Sequence, residues 1–247
     1  MSKEDIVVDW EHTKYETEEP FREYEIKSIN GIETLDIRYT GNFKPIDTVE
    51  EDPKDDGITK IYLSPSNQSA NSYAVGDTTE KIEMEDVAAR IYNILSEDYD
   101  CEVVMATESL NIWLDGRPLE AKEENCDVYL AIHSNAGTTH VATGAVGFYH
   151  PLNSTGKILA TNIIEELNNV NPTESNRHEQ VSSGMEPFDG YGLAEVRDPS
   201  SYGLIAVLVE TDFHDNPVTA SWIIDNKDII ANAYVDGIVK TFDLNKK

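Results

Sequence analysis

The sequence predicts an α/β fold: a mainly parallel, twisted sheet flanked by helices on both faces, with a small β-hairpin as an N-terminal extension. Strand-like apolar runs alternate with amphipathic segments from residue 58 onward, which is the pattern of a parallel sheet. Two alternating runs surround Asn30 and Gly31 within 21–43, and this pair favours a hairpin turn. The 247 residues suffice for one full core with a small appendage.

The composition divides the chain into two predicted domains. Residues 1–57 form an acidic extension that contains the hairpin and ends in a charged, proline-containing linker at 49–57. Residues 58–247 form the second domain. Its strands are predicted at 58–65, 101–108, 126–133, 144–150 and 202–210, and its helices at 78–97, 114–125, 155–170 and 228–244.

The first and last parts of this second domain illustrate the signals. The helix at 78–97 begins after threonine, carries early acidic residues, and places apolar residues at 82, 84, 87, 88, 91, 92 and 95. The strand at 202–210, "YGLIAVLVE", is almost wholly apolar, as expected for a strand buried on both faces.

The charge and the cysteines exclude several classes of protein. A formal net charge of −28 argues against nucleic acid and anionic membrane surfaces as partners. No apolar run approaches the roughly 20 residues that span a bilayer, so we expect no membrane insertion. No secretory signal is visible at the start, which leaves an unseen export route or release by lysis as alternatives. Cys101 and Cys126 form no CxxC pair and are expected to be buried thiols.

Chemically capable residues gather where the predicted strands end. The strand at 126–133 ends in His133, the strand at 202–210 ends in Glu210, and Glu80 lies at the start of the first helix. Ligand sites in such sheets lie beyond the carboxyl ends of the strands, so these three side chains are expected at one edge. A histidine with two carboxylates is the composition of a catalytic zinc site. Taken singly, each residue also fits a buried polar group with a structural partner.

The order of motifs resembles the type-3 family of zinc-dependent N-acetylmuramoyl-L-alanine amidases. The resemblance lies in "AIHSNAG" at 131–137, "LVETDFHDNP" at 208–217, the pair Leu114 and Arg117 in an L-x-x-R pattern, and "GLAEVR" at 192–197. It covers nearly all of the chain beyond the linker. It implies a hydrolase that acts at the bacterial cell wall and cleaves the amide bond between N-acetylmuramic acid and L-alanine in peptidoglycan.

The resemblance also implies roles for individual residues. Zn²⁺ is the implied cofactor, with Glu80 and His133 as ligands, and Glu210 is the implied general base that activates the attacking water. Arg197 is a second candidate catalytic residue, which either orients a carboxylate of the stem peptide or forms a plain salt bridge. If Glu210 were structural instead, Arg197 or Arg117 would be its expected partner.

Three further residues are candidates for substrate binding: Asn135, Arg117 and His214. Asn135 would hydrogen-bond either to substrate or to a metal ligand. His214 and Asn216 follow Glu210 and either support it or cap the next turn, and capping is favoured for Asn216.

One motif departs from the family pattern. The family's first strand usually ends in "DPGHGG", whose histidine binds zinc, whereas this chain has "SPSNQ" at 64–68. This looks like a Gram-positive subgroup of the same family. Three alternatives follow: an amide oxygen of Gln68 or Asn67 is the third ligand, His178 or His214 supplies it, or the site binds metal weakly. Gln68 is the favoured ligand.

Two other functions stay open on the sequence. The asparagine in a ligand position fits a catalytically inactive relative that binds peptidoglycan or a partner protein, although the retained Glu210 argues against it. A scaffold with structural polar residues would leave the joint placement of Glu80, His133 and Glu210 unexplained. A phosphate-binding loop, a G-x-S-x-G elbow and an H-E-x-x-H helix are all absent from the sequence.

Overall fold

The computed structural model describes residues 58–188 and 190–247, and the backbone of four strands within the first 57 residues. The chain divides into two compact units, Met1–Gly57 and Ile58–Lys247. In the first unit β2 (Phe21–Ile29) pairs antiparallel with β3 (Ile32–Thr40), and β1 (Tyr15–Glu16) pairs antiparallel with β4 (Lys44–Pro45). The predicted linker at 49–57 lies outside the described residues.

The second unit contains a six-stranded sheet. Its strands are β5 (Lys60–Pro65), β6 (Glu102–Met105), β7 (Val128–Asn135), β8 (Val146–Tyr149), β9 (Val181–Ser183) and β10 (Ile205–Phe213). They lie in the order β6-β5-β7-β10-β8-β9. The first four strands in this order are mutually parallel, and β8 runs antiparallel to β10. The predicted fold class, a mainly parallel sheet with helices, is therefore confirmed.

Six helices are present in the described part of the chain: α1 (Glu80–Asp98), α2 (Arg117–Glu123), α3 (Ser154–Val170), α4 (Ala194–Ser201), α5 (Pro217–Asp225) and α6 (Lys227–Phe242). None of these helices has the length and apolar character needed to cross a membrane. Cys101 and Cys126 are both buried and form no disulfide, as expected from the sequence.

The two faces of the sheet are covered unequally. On one face α1, α3 and α6 pack over the alternate apolar residues of the central strands, with Val128, Leu130 and Ile132 of β7 among them. Gly237 of α6 lies so close to Ile163 of α3 that an added Cβ would stand 2.7 Å from its backbone, so these two helices are in direct backbone contact. The opposite face packs against the short helices α2 and α4.

In the second unit, three elements lie in segments for which the sequence predicts none, namely β9, α4 and α5. β9 has three residues, too few for a periodic pattern, and α4 contains Pro199, which is disfavoured inside a helix. α5 begins after Asn216, whose side chain accepts a hydrogen bond from the backbone N–H of Val218 at 3.0 Å. The capping role favoured for Asn216 is therefore confirmed.

The register of β7 and β10 positions the site. Glu210 of β10 lies directly beside His133 of β7, and Phe213 pairs with Asn135 after an irregularity that follows Glu210. Neighbouring strands lie about 4.8 Å apart, so the two side chains leave the sheet side by side. Both strands continue beyond these residues, by two positions in β7 and three in β10.

Candidate active site

The site centres on the imidazole of His133, which is 5% exposed. Each of its nitrogens faces a carboxylate: Nδ1 lies 2.9 Å from Oε1 of Glu80, and Nε2 lies 2.8 Å from Oε2 of Glu195. Burial lowers the pKa of His133, but the charge and hydrogen bond of Glu195 and the hydrogen bond of Glu80 outweigh it and raise the pKa well above its ordinary value. The imidazole is thus held between two anions.

Glu80 reaches this position from the start of α1, at the edge of the sheet. Its Oε1 also accepts a hydrogen bond from the backbone N–H of Ser134 at 3.3 Å, and its Oε2 accepts one from Asn71 Nδ2 at 2.7 Å. Burial raises the pKa of Glu80, but the hydrogen bonds from His133 and Asn71 reverse this effect and lower the pKa below its ordinary value. Glu80 is therefore a carboxylate anion, which is suited to binding a cation.

Glu195 reaches His133 from α4, on the opposite side of the imidazole. It is 2% exposed, and its Oε1 accepts hydrogen bonds from Ser64 Oγ at 2.6 Å and from Tyr129 Oη at 2.9 Å. Beneath it, Arg117 Nη1 donates to Ser64 Oγ at 3.0 Å and to the carbonyl of Pro65 at 2.6 Å. This buried network fixes the Glu195 carboxylate on both oxygens.

Glu195 is not among the site residues predicted from the sequence, although it lies in the segment "GLAEVR" at 192–197. The resemblance of that segment to the family was the available signal, because no periodic pattern marks the short helix that carries Glu195. The residue predicted from the same segment is Arg197. In the structure Arg197 donates from Nε to Asp198 at 2.6 Å, and its guanidinium lies 4.0 Å from the centre of the Tyr191 ring.

Glu210 stands beside His133 and has a different environment from the other two carboxylates. Its Oε2 is enclosed and has no hydrogen-bond partner among the described residues. Burial raises the pKa of Glu210 to about 7, with His133 lowering it and the charges of Glu80 and Glu195 raising it further. A carboxyl group whose pKa lies near neutrality can both take up and release a proton.

Glu80, His133 and Glu210 together could hold a metal ion, because one ligand atom from each lies within 4.8 Å of the others. The orphaned Oε2 of Glu210 supports this fit, since a buried carboxylate oxygen requires a hydrogen bond or a cation. An imidazole and carboxylates are suitable ligands for zinc. The structure thus brings together the three residues that the sequence predicts at one edge of the sheet.

The amide side chains of "SPSNQ" differ in position. Gln68 Nε2 lies 3.3 Å from Nδ1 of His133, and its Oε1 accepts a hydrogen bond from Asn71 Nδ2 at 3.0 Å. The backbone carbonyl of Asn67 accepts a hydrogen bond from the N–H of Ser69 at 3.0 Å. Gln68 is therefore the amide that reaches the His133 imidazole.

The remaining candidate residues lie around the site and make contacts of their own. His214 is buried, its Nδ1 lies 3.0 Å from Ser134 Oγ, and its ring stacks on Tyr73 at 5.2 Å. Arg117 is buried and donates to Ser64 and to the carbonyl of Pro65, both in β5. Asn135 is half-buried, and its Oδ1 accepts a hydrogen bond from the N–H of Ala136 at 2.8 Å. His178 is exposed.

The comparisons with known proteins agree with this architecture. The sequence model of one protein family, described as N-acetylmuramoyl-L-alanine amidase, matches residues 61–240. No curated protein matches the chain.

Several solved structures share the fold. The catalytic domain of CwlV from Bacillus (Paenibacillus) polymyxa var. colistinus, an N-acetylmuramoyl-L-alanine amidase, is 17% identical with a TM-score of 0.61, over 76% of this chain and 100% of that one. An N-acetylmuramoyl-L-alanine amidase from Clostridium difficile 630 is 20% identical with a TM-score of 0.59, over 75% and 97%. The amidase AmiC2 of Nostoc punctiforme is 18% identical with a TM-score of 0.59, over 74% and 96%.

Proposed function

Since the chain belongs to the N-acetylmuramoyl-L-alanine amidase family, we propose that it hydrolyses the amide bond between N-acetylmuramic acid and L-alanine with a bound zinc ion and Glu210 as the general base. One observation carries the proposal: Glu80, His133 and Glu210 converge within 4.8 Å, and the enclosed Oε2 of Glu210 has no partner among the described residues. Peptidoglycan at the bacterial cell wall is the proposed site of action.

The proposed ligands are Glu80, His133 and Gln68. Gln68 reaches Nδ1 of His133 from the loop after β5, and a rotated amide would present its oxygen to the same side. When bound, zinc would acidify a water and polarise the carbonyl of the substrate. His133 would ligate through Nδ1, because Nε2 is committed to Glu195.

Glu210 and Glu195 have different proposed roles. Glu210 takes a proton from the attacking water as the water oxygen bonds to the carbonyl carbon, and it then gives that proton to the L-alanine nitrogen as the C–N bond breaks. Its pKa of about 7 suits both directions of this transfer. Glu195 is a positioning residue: it accepts the hydrogen bond from Nε2–H of His133 and so fixes the ring and the tautomer that offers Nδ1.

The test combines zinc content by elemental analysis with release of L-alanine-terminated peptides from muramoyl peptides. Wild type should bind about one equivalent of zinc and cleave the substrate, and His133→Ala should lose both. Gln68→Ala should lower zinc affinity. His140→Ala is the matched control, since His140 is exposed and pairs with Asp215, and it should behave as wild type.

Two outcomes would contradict the proposal. Full zinc retention by Gln68→Ala would remove Gln68 from the ligand set while leaving the reaction intact. A wild-type protein that binds no zinc in excess metal and cleaves nothing would overturn the hydrolytic function. Retention on purified peptidoglycan would then identify a binding module.

A further inference from the structure

A cleft of about 430 Å³ opens beside the site, at the carboxyl ends of β7 and β10. Its lining includes Asn135, Val146 and Phe213. Asn135 lies two residues beyond His133, which is about 7 Å along a strand. Val146 is the register partner of Glu210, and Phe213 is the partner of Asn135. The cleft is therefore adjacent to His133 and Glu210, the proposed reacting groups.

Arg177 brings a positive charge to this cleft. The loop between α3 and β9 carries it there, and the guanidinium carbon lies 5.3 Å from the centre of the Phe213 ring. Its Nε donates to Oδ1 of the neighbouring Asn176 at 3.0 Å, as does Nη2. These contacts engage Nε and Nη2 of the guanidinium and hold it near the Phe213 ring.

Arg177 lacks the ion pair that six of the eleven other Lys and Arg residues in the described part of the chain form. Six cations of the described part form ion pairs with acidic side chains: Lys60, Lys81, Arg90, Arg197, Lys227 and Lys240. Arg177 has no acidic side chain within ion-pair distance among the described residues, although the full chain has 47 acids to 19 Lys and Arg. Glu179 is the other charged residue in the lining, so the cleft offers one cation and one anion.

We infer that Arg177 forms a subsite for a carboxylate of the stem peptide, on the second residue after the bond that is cleaved. An extended peptide spans about 3.3–3.6 Å per residue, so a group on the second residue lies about 7 Å from that bond. This matches the span from His133 to the start of the cleft. A guanidinium that lies over an aromatic ring and donates to a neighbouring amide oxygen is pre-oriented for a carboxylate. The inference rests on the proposed amidase function.

The experiment compares two muramoyl tripeptides that differ at one group, a free α-carboxylate or a carboxamide on the second residue. Steady-state kinetics are measured for wild type, Arg177→Gln and Lys157→Gln. Lys157 is a matched control because it is also an exposed cation, lies over the Tyr149 ring at 5.8 Å, and is absent from the cleft lining.

Arg177→Gln should raise KM for the carboxylate tripeptide about tenfold, with kcat within twofold of wild type. This matches the loss of one charge-assisted hydrogen bond at a solvent-exposed site. The carboxamide tripeptide should change less than twofold, and Lys157→Gln should match wild type on both. An equal change on the two tripeptides, or no change on either, would overturn the subsite.

Failure of the subsite is distinguishable from failure of the proposed reaction. If wild type cleaves neither tripeptide, binding is measured by calorimetry with the same proteins and the same two tripeptides. A preference of wild type for the carboxylate form that disappears in Arg177→Gln would support the subsite without the reaction. Equal affinity of wild type for both forms would overturn it.

Discussion

Glu80 and Glu195 bind opposite nitrogens of one imidazole, yet their surroundings differ. Glu80 lies at the edge of the sheet, and its second oxygen contacts Asn71, a loop side chain that also contacts Gln68. Glu195 lies on the sheet face, and its second oxygen is held by Ser64 and Tyr129, which belong to two adjacent strands.

This difference determines whether a carboxylate oxygen can move to bind a cation or is held in place by its hydrogen bonds. An oxygen bonded to a loop side chain, such as Oε2 of Glu80, can move towards a cation, whereas one bonded to two strand hydroxyls, such as Oε1 of Glu195, is held in place. The burial of the two groups is nearly equal, at 1% and 2% exposed, so burial does not distinguish a ligand from a positioning residue. The origin of the neighbouring donors does.

Glu80→Gln is expected to have the largest effect, because it removes a proposed ligand charge while preserving shape. Partners outside the ligand set typically change metal affinity by about 10–100-fold, so we expect zinc affinity and hydrolysis to fall by more than about 100-fold. Competition with a metal chelator measures the affinity, and tripeptide hydrolysis measures the activity.

Glu83→Gln is the matched control for this change. Glu83 is also buried on α1, but it pairs with Lys227 and Thr78. Its variant should lose stability and keep its zinc affinity. If both variants lost zinc equally, the effect of Glu80 would be one of folding.

Glu195→Gln should have an intermediate effect. The amide leaves His133 without an anionic acceptor for Nε2–H, so we expect zinc affinity to fall about 10–100-fold. Glu195→Asp, which keeps the charge on a shorter side chain, should recover part of the loss. Unfolding in urea distinguishes a positioning role from a purely structural one: a merely structural residue would lower stability without changing affinity in the folded protein.

Tyr129→Phe should have the smallest effect, because Ser64 still donates to Glu195 after the phenol is removed. Loss of one hydrogen bond to a buried charge costs about 1.5–3 kcal/mol, and zinc affinity should fall less than about tenfold. Tyr62→Phe is the control: Tyr62 stacks on Tyr129 at 5.2 Å but donates to Glu120. It should lose stability alone, and an equal loss of zinc affinity in both variants would contradict the network.

Changes in the local sequence pattern explain why part of the site was predictable. His133 and Glu210 end apolar runs, and Glu80 follows a capping threonine at the start of a long periodic helix, so each is marked by a change in local pattern. Parallel topology then requires them to meet at one edge. These are local signals combined with one general rule of topology.

Glu195 could not be found in this way. Its helix has eight residues with a proline inside, so no periodic pattern marks the face that meets the sheet. Residues two apart on a helix point about 200° apart, and a side chain at 197 therefore turns away when the one at 195 faces His133. Arg177 lies in a loop whose path from α3 to β9 depends on tertiary packing, which has no signal in the local sequence.

The side-by-side position of His133 and Glu210 depends on the register in which β7 pairs with β10. Successive side chains on a strand alternate between the two faces, so an insertion or deletion of one residue before His133 or Glu210 would turn one of the two side chains to the far side of the sheet. A chain paired out of step could remain compact and keep most of its helices. Hydrolysis would then report on the correctness of strand pairing, which measures of compactness or helix content do not detect.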